Sequence, residues 1–447
     1  MIAYLLAVKD LRRLPSCRSG SRINEMTDID NGRGALAWPL LVALWCAMAS
    51  PAAPAAPRPD PASIAEDVAS ATSAATPPQV RLPEASLERI LFAQISDSGI
   101  RNRAVLVGKR SFIWGAHPDS VKGGVYGAFY YPSMRDFDKT HTVQWYQKNR
   151  PDWVVYKADQ KTPAYDWTYS WGAYTPLDIT RSDVRQYILK TFLIPAMEKG
   201  FPAIAYDNVA ITNGAHRCGV WREGKWVPQF SGASREPAFA TAILDYIGWL
   251  RSELHARGTA LALNAKLDAK QPELTGKLLS LADIWLDEGG FSQDYRHQIV
   301  DDVWRVKFEL ASRKAAAGAY VSMNTVGDPF ATITEAESTW ILANFLLVRG
   351  ARSYLAILGK GDGGRLLGYP GTLNPPMGHP LSAARAEGPV YLRLYEHGLA
   401  VVNPSSSNAV PFAPPRGKWL DVAGNEVPAS VMMKPRSGLL LISRPKK

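Results

Sequence analysis

A (β/α)8 barrel, that is a TIM barrel, with a small C-terminal antiparallel β domain is the fold class this sequence predicts. Three observations predict it. Beyond Gly123, short apolar runs alternate with amphipathic stretches of helical period; many of those runs end on a polar or charged side chain; and after Pro389 closely spaced strand-like runs are separated by tight turns. Parallel strands joined by helices produce the first pattern. A closed barrel brings strand ends to one face, which explains the second, whereas a doubly wound open sheet, the alternative, spreads them over two crevices.

The strand candidates are residues 125–131, 153–157, 203–207, 260–264, 284–287, 319–324 and 353–357. Each is a run of β-branched, aromatic or small apolar residues of the length a buried strand needs. Two places compete for the eighth strand, 365–369 and the stretch near Val105. Helices are predicted over 182–199, 237–257, 295–316 and 334–347. Thr180-Arg181-Ser182-Asp183 offers capping chemistry to the first, which closes at Gly200, and Gly258 ends the second after Arg257. The C-terminal strands are 390–395, 399–403, 419–422 and 438–442, turned by Glu396-His397-Gly398 and Ala423-Gly424-Asn425. The resulting domains are a leader region over 1–50, a linker over 51–85, the barrel over 86–388 and the β domain over 389–447.

Composition supports a large folded unit. Of 447 residues 46% are hydrophobic and 21% charged, which suits a globular core and argues against wholesale disorder. The net charge is +10, yet the basic residues are scattered and no nucleic-acid-binding signature accompanies them, so no nucleic-acid partner is expected. Arg33 precedes an apolar stretch at 35–49 that ends in Ala47-Met48-Ala49, the pattern of a secretory leader with a small-x-small cleavage site. Met26 is the expected true start. An uncleaved anchor helix is the alternative, weakened by Pro39 and by the short length. The expected setting is secreted or periplasmic, with no stable membrane span after cleavage. Of Cys17, Cys46 and Cys218 only Cys218 survives that cleavage, so no disulfide within the mature chain is expected. Residues 51–83, rich in Ala, Pro, Ser and Thr, read as a disordered linker.

Two predicted strands stop on acids. Ala203-Ile204-Ala205-Tyr206-Asp207-Asn208 ends on a carboxylate and an amide, and Ile284-Trp285-Leu286-Asp287-Glu288 ends on two carboxylates before Gly289-Gly290 turns the chain away. Hydrolysis of a glycosidic bond needs one carboxylic acid to protonate the leaving oxygen and one carboxylate on the other side of the ring. Asp207 and Glu288 are the candidate catalytic pair. Asp287 rivals Glu288, since adjacent strand residues point oppositely and only one of the two faces a pocket.

Candidate substrate-binding residues are Tyr130, Lys157, Asp159, Asp178, Tyr206, Asn208, Asn264, Asp287 and Asn324. The amides both donate to and accept from sugar hydroxyls, and Asp178 has a second reading as the cap of the helix behind it. Tyr131, Trp167 and Trp171, with Tyr130, are candidate stacking platforms, with core packing as the competing role. The Gly-rich segment 359–364 opens no helix, so it reads as a rim loop and not as a phosphate loop. His216 and Cys218 are too sparse for a metal site, and no nucleophile elbow, HExxH or Walker motif is present. No cofactor or metal is expected.

The stretches 153–159, 177–185 and 203–209, with Asp287-Glu288 downstream, resemble the TIM-barrel hypothetical glycosyl hydrolases. They are more distantly similar to endo-α-1,4-polygalactosaminidases and to barrels of bacterial exopolysaccharide systems. The likeness spans roughly 120–405, including Gly398-Leu399-Ala400-Val401-Val402-Asn403-Pro404. It implies Asp207 as nucleophile or stabilising carboxylate and Glu288 as proton donor, and it transfers no substrate. The expectation is therefore a glycoside hydrolase acting on a polysaccharide of the bacterial exopolysaccharide or envelope kind. A non-catalytic carbohydrate-binding barrel is the alternative, and an envelope scaffold without a glycan site is a third class.

Overall fold

The computed structural model describes residues 78–132, 141–164, 174–214, 217–292, 299–327, 329–359 and 361–443. The expected leader, most of the linker, Trp167, Trp171 and His216 lie outside them. In chain order the first strands are β1 (Leu91–Ile95), β2 (Phe112–Trp114), β3 (Gly127–Pro132), β4 (Tyr156–Lys157), β5 (Ala203–Val209) and β6 (Cys218–Arg222). They are followed by β7 (Lys225–Phe230), β8 (Ala260–Ala265), β9 (Ile284–Glu288), β10 (Ala319–Val326) and β11 (Ser353–Gly359). Eight of them close a barrel in the order β1-β11-β10-β9-β8-β5-β3-β2, parallel at every junction.

Two of the expected strand assignments are corrected. Of 153–157 only Tyr156 and Lys157 form a strand, pairing antiparallel with β6 in a three-stranded sheet β4-β6-β7 outside the barrel, while Val154 makes an isolated antiparallel bridge to Leu177. Pro151–Trp153 forms a 3-10 turn at the start of that run, so its length is spent before a barrel strand can form. Neither candidate for the eighth strand is a strand. Arg103–Leu106 is a 3-10 turn and 365–369 is irregular; β1 and β2 complete the ring instead. With three residues, β2 is too short to show a period.

Alternation along each strand divides the apolar residues into two cores. Ala203 and Ala205 of β5, Ala260 and Ala262 of β8, and Ile284 and Leu286 of β9 fill the barrel interior with Phe112, Trp114 and Tyr354. The alanines of β5 and β8 leave the volume that those large rings occupy. Ile204 and Tyr206, Leu261 and Leu263, and Trp285 face outward into the layer of helices.

Beyond β4 the helices run Ser182–Ile188 and Ile194–Glu198, Pro237–His255, Pro272–Leu281, Asp301–Ala317 and Glu335–Val348. A π turn at Leu189–Leu193 joins the first two, just ahead of Pro195, which has no N–H to give an α-helical ladder. Helix Glu335–Val348 is buried on all sides from Trp340 onward, because the C-terminal domain covers the face that the barrel does not. Thr334 and Glu337 start it with a reciprocal capping box.

That domain is built from β12 (Arg385–Glu387), β13 (Val390–Tyr395), β14 (Gly398–Asn403), β15 (Val410–Phe412), β16 (Trp419–Leu420), β17 (Val431–Met433) and β18 (Ser437–Ser443). Five strands form an antiparallel sheet in the order β12-β13-β14-β18-β16. Gly438 of β18 lets this sheet approach the helix closely: a Cβ there would stand 2.7 Å from the Thr339 carbonyl and 2.8 Å from the Ala343 methyl. Arg393 seals the contact by donating to the carbonyls of Leu346, Leu347 and Arg349, placing a cation at the helix C-terminus.

Candidate active site

Asp207 lies inside the barrel because β5 keeps the parity of Ala203 and Ala205 up to its last inward position. The register of β5 against β8 then shifts between Tyr206 and Val209, and Asn208 takes a left-handed φ of 58° at that irregularity. Asn tolerates this conformation better than most residues, and its side chain turns back to donate from Nδ2 to Asp207 Oδ2 at 3.1 Å. The same oxygen accepts from the Tyr130 hydroxyl at 2.9 Å, while Oδ1 accepts from Asn264 Nδ2 at 2.7 Å.

Asn264 is the inward residue at the corresponding point of β8. Its Nδ2 also donates to Glu288 Oε2 at 2.7 Å. One amide nitrogen thus spends its two hydrogens on two carboxylates of different strands, so the bonded oxygens are no farther apart than twice that distance. Asp207 is fully buried and Glu288 half-buried at the mouth. Burial pushes the Asp207 carboxyl up from its ordinary range, and the hydrogen bonds from Asn264 and Tyr130 pull it back.

Asp287 faces the opposite way. Its Oδ1 lies 2.8 Å from Lys307 Nζ, on helix Asp301–Ala317, and its Oδ2 accepts from the Tyr320 hydroxyl at 2.9 Å. Both charged side chains are 4% exposed, so the pair is sealed between barrel and helix. Burial raises the Asp287 carboxyl and Lys307 opposes the rise.

The other expected site residues separate into those at the mouth and those elsewhere. Tyr130, Asn208 and Asn264 touch Asp207. Tyr206 points outward, where its hydroxyl meets that of Tyr246 at 2.6 Å. Asn324 is fully buried: its Oδ1 accepts from the backbone N–H groups of Phe291 and Ser292, so the amide holds the turn made by Gly289 and Gly290, both at positive φ. A Cβ on Gly290 would strike that same Asn324 side chain.

Lys157 is exposed on β4, away from the barrel wall. Asp159 ties a turn: the Thr162 hydroxyl, at 2.5 Å, and the backbone N–H groups of Lys161 and Thr162 lower its carboxyl to about 2. Asp178 is buried under the hairpin formed by β6 and β7, accepting from Arg222 at 2.9 Å and from Gln229 at 2.7 Å as well as from Thr180.

One carboxylate escaped the sequence reading. Asp97 follows β1 and is 1% exposed, bonded to Ser120 and the His117 N–H and 3.5 Å from Arg103. The acid-tipped run Gln94-Ile95-Ser96-Asp97 carries the signal, although none of the predicted strands falls on it. Among the described residues no cluster of three or more His, Cys, Asp or Glu is placed to hold a metal, and no helix is long and apolar enough to cross a membrane.

No family model and no curated protein matches this sequence. Several solved structures match at low identity. A GH27 β-L-arabinopyranosidase from Geobacillus stearothermophilus is 10% identical, with 80% of this chain and 97% of that one covered and a TM-score of 0.47. A maltogenic α-amylase from Thermotoga neapolitana is 11% identical over 79% and 98%, with a TM-score of 0.43. A cycloalternan-degrading enzyme from Trueperella pyogenes is 12% identical over 79% and 62%, with a TM-score of 0.42. These are likenesses of chain path alone; the barrel assignment stands on the closed strand order, and the resemblance to polygalactosaminidases gains no counterpart.

Proposed function

We propose that this protein is a retaining glycoside hydrolase in which Asp207 is the nucleophile and Glu288 the acid and base. The observation that carries the reading is the shared Asn264 nitrogen, which holds the two carboxylates within the separation of roughly 5 Å that retaining enzymes use and closer than the roughly 6.5 to 9.5 Å of inverting ones. Tyr130, Asn208 and Asn264 all donate to Asp207, and against the upward push of burial these bonds draw its carboxyl back towards ionisation and orient it for attack. Half-buried Glu288 has the access to solvent that a proton donor and, later, a base for water requires.

In the first step Asp207 bonds to the anomeric carbon as the glycosidic bond breaks, and Glu288 gives its proton to the departing oxygen. In the second step Glu288 takes a proton from water, whose oxygen displaces Asp207 and restores both groups. A leader-like stretch at 35–49 supports an exported setting and a polysaccharide substrate outside the cytoplasm.

The test is a screen of the purified chain against bacterial exopolysaccharides, with proton NMR following the anomer first released. Turnover with retained configuration, lost in both Asp207→Asn and Glu288→Gln, is expected. Binding without turnover in the unmodified chain would move the assignment to a carbohydrate-binding barrel.

A further inference from the structure

We infer that Lys266 reads a negative charge on the sugar bound beside the cleaved bond, and that the substrate is therefore an anionic glycan. The inference rests on the glycosidase reading above. On β8, Ala260 and Ala262 face the barrel interior, Leu261 and Leu263 face the helices, and Asn264 faces inward to Asp207 and Glu288. The Lys266 N–H donates to the Val209 carbonyl at 2.8 Å, so the pairing with β5 continues past the end of β8. Lys266 stands one residue past the last residue of β8 and two past Asn264, the interval that separates successive inward residues on that strand.

The Lys266 side chain is exposed, and among the described residues its ammonium makes no ion pair and no hydrogen bond. The arginines of the neighbouring loops are committed differently: Arg235 is 2.8 Å from Asp268, and Arg222 is 2.9 Å from Asp178. The carboxylates below do not need the lysine either. Asp207 takes its hydrogen bonds from Tyr130, Asn208 and Asn264, and Glu288 takes one from Asn264. What remains is an uncommitted cation on a flexible four-carbon stem, rooted two residues beyond Asn264 where the backbone still pairs with Val209, in a chain of net charge +10. A sugar carboxylate is the group such a point charge would recognise.

The probes are alginate, hyaluronan and polygalacturonate, each beside its carboxyl-reduced neutral form. Binding is measured calorimetrically on the full chain carrying Glu288→Gln, which prevents turnover. At least one acidic polymer should bind more tightly than its reduced partner, with a preference that weakens as salt is raised. Adding Lys266→Ala should cut that preference about fivefold, the scale of one partly solvated ion pair. Lys266→Arg should keep most of it, and so should Lys270→Ala, which removes the same charge from the same loop.

Equal affinity for acidic and reduced polymers overturns the inference, as does an equal loss in Lys270→Ala, which would mean a diffuse field and no site. Retaining hydrolysis of a neutral glycan without any acid preference leaves the glycosidase reading standing and this one overturned. A Lys266-dependent acid preference in a chain that hydrolyses nothing has the reverse meaning.

Discussion

Asp287 and Glu288 are neighbours in the chain and belong to different layers of the molecule: Glu288 accepts from Asn264 at the barrel mouth, and Asp287 is closed against Lys307 behind the barrel wall. Strand alternation forces the two apart, and the placement of helix Asp301–Ala317 decides which of them meets a cation in the dry layer. The two carboxylates therefore call for different experiments.

Asp287 should prove structural. Lys307→Met leaves a buried carboxylate without its counterion and is expected to cost about 3 to 5 kcal/mol in urea unfolding. Combining it with Asp287→Leu should restore most of that loss, because the uncompensated charge is gone. Additive losses in the two-residue cycle would contradict a coupled pair.

Asp207→Asn should lower turnover on the order of 10⁴-fold, the scale expected when a group that acts covalently is removed, and should raise thermal stability at pH 7. Burial holds the Asp207 carboxyl above the unfolded value of about 3.9, so between the two values the folded chain keeps a proton that the unfolded chain has released. Stability is then lost as pH rises through the folded value, and the neutral amide escapes that loss. A gain in melting temperature at pH 7 that vanishes near pH 3 is expected from melting curves. A variant that melts lower at pH 7 would count against an uncompensated burial cost at Asp207.

Asn264→Ala should separate positioning from chemistry. It deletes the donor shared by Asp207 and Glu288 and is expected to reduce kcat about 10²-fold, the effect of losing one oriented donor. The Asn264 hydrogen bond pulls the Asp207 carboxyl down, so its loss moves that carboxyl further up and shifts the acidic limb of the kcat/KM profile to higher pH. An unmoved acidic limb would show that Asn264 does not act on Asp207.

Asp178 is expected to fasten the β6–β7 hairpin to the barrel. Asp178→Ala leaves Arg222 and Gln229 with only the longer bonds to the Thr180 hydroxyl, and a loss of about 1 to 2 kcal/mol should follow from chemical denaturation. Limited proteolysis should then cut faster within residues 214–236, while the barrel fragments stay resistant.

The sequence by itself determined the repeating βα pattern, the acid-tipped ends of β5 and β9, the amides that follow or oppose them, and the change to antiparallel strands after Pro389. All of these depend on side-chain period and local turn chemistry, which act over a few residues. Tertiary structure decided the rest. An apolar run such as 153–157 carries no mark of its ladder partner, so only the folded chain shows β4 joined to β6 instead of the barrel, with β2 closing the ring in three residues. Alternation separates Asp287 from Glu288 without saying which one points inward, and it places Tyr206 and Asn324 on strand ends without saying what they touch. Inward and outward acquire meaning only when the sheet closes, because closure brings Asn264 between Asp207 and Glu288, residues 81 positions apart in the chain.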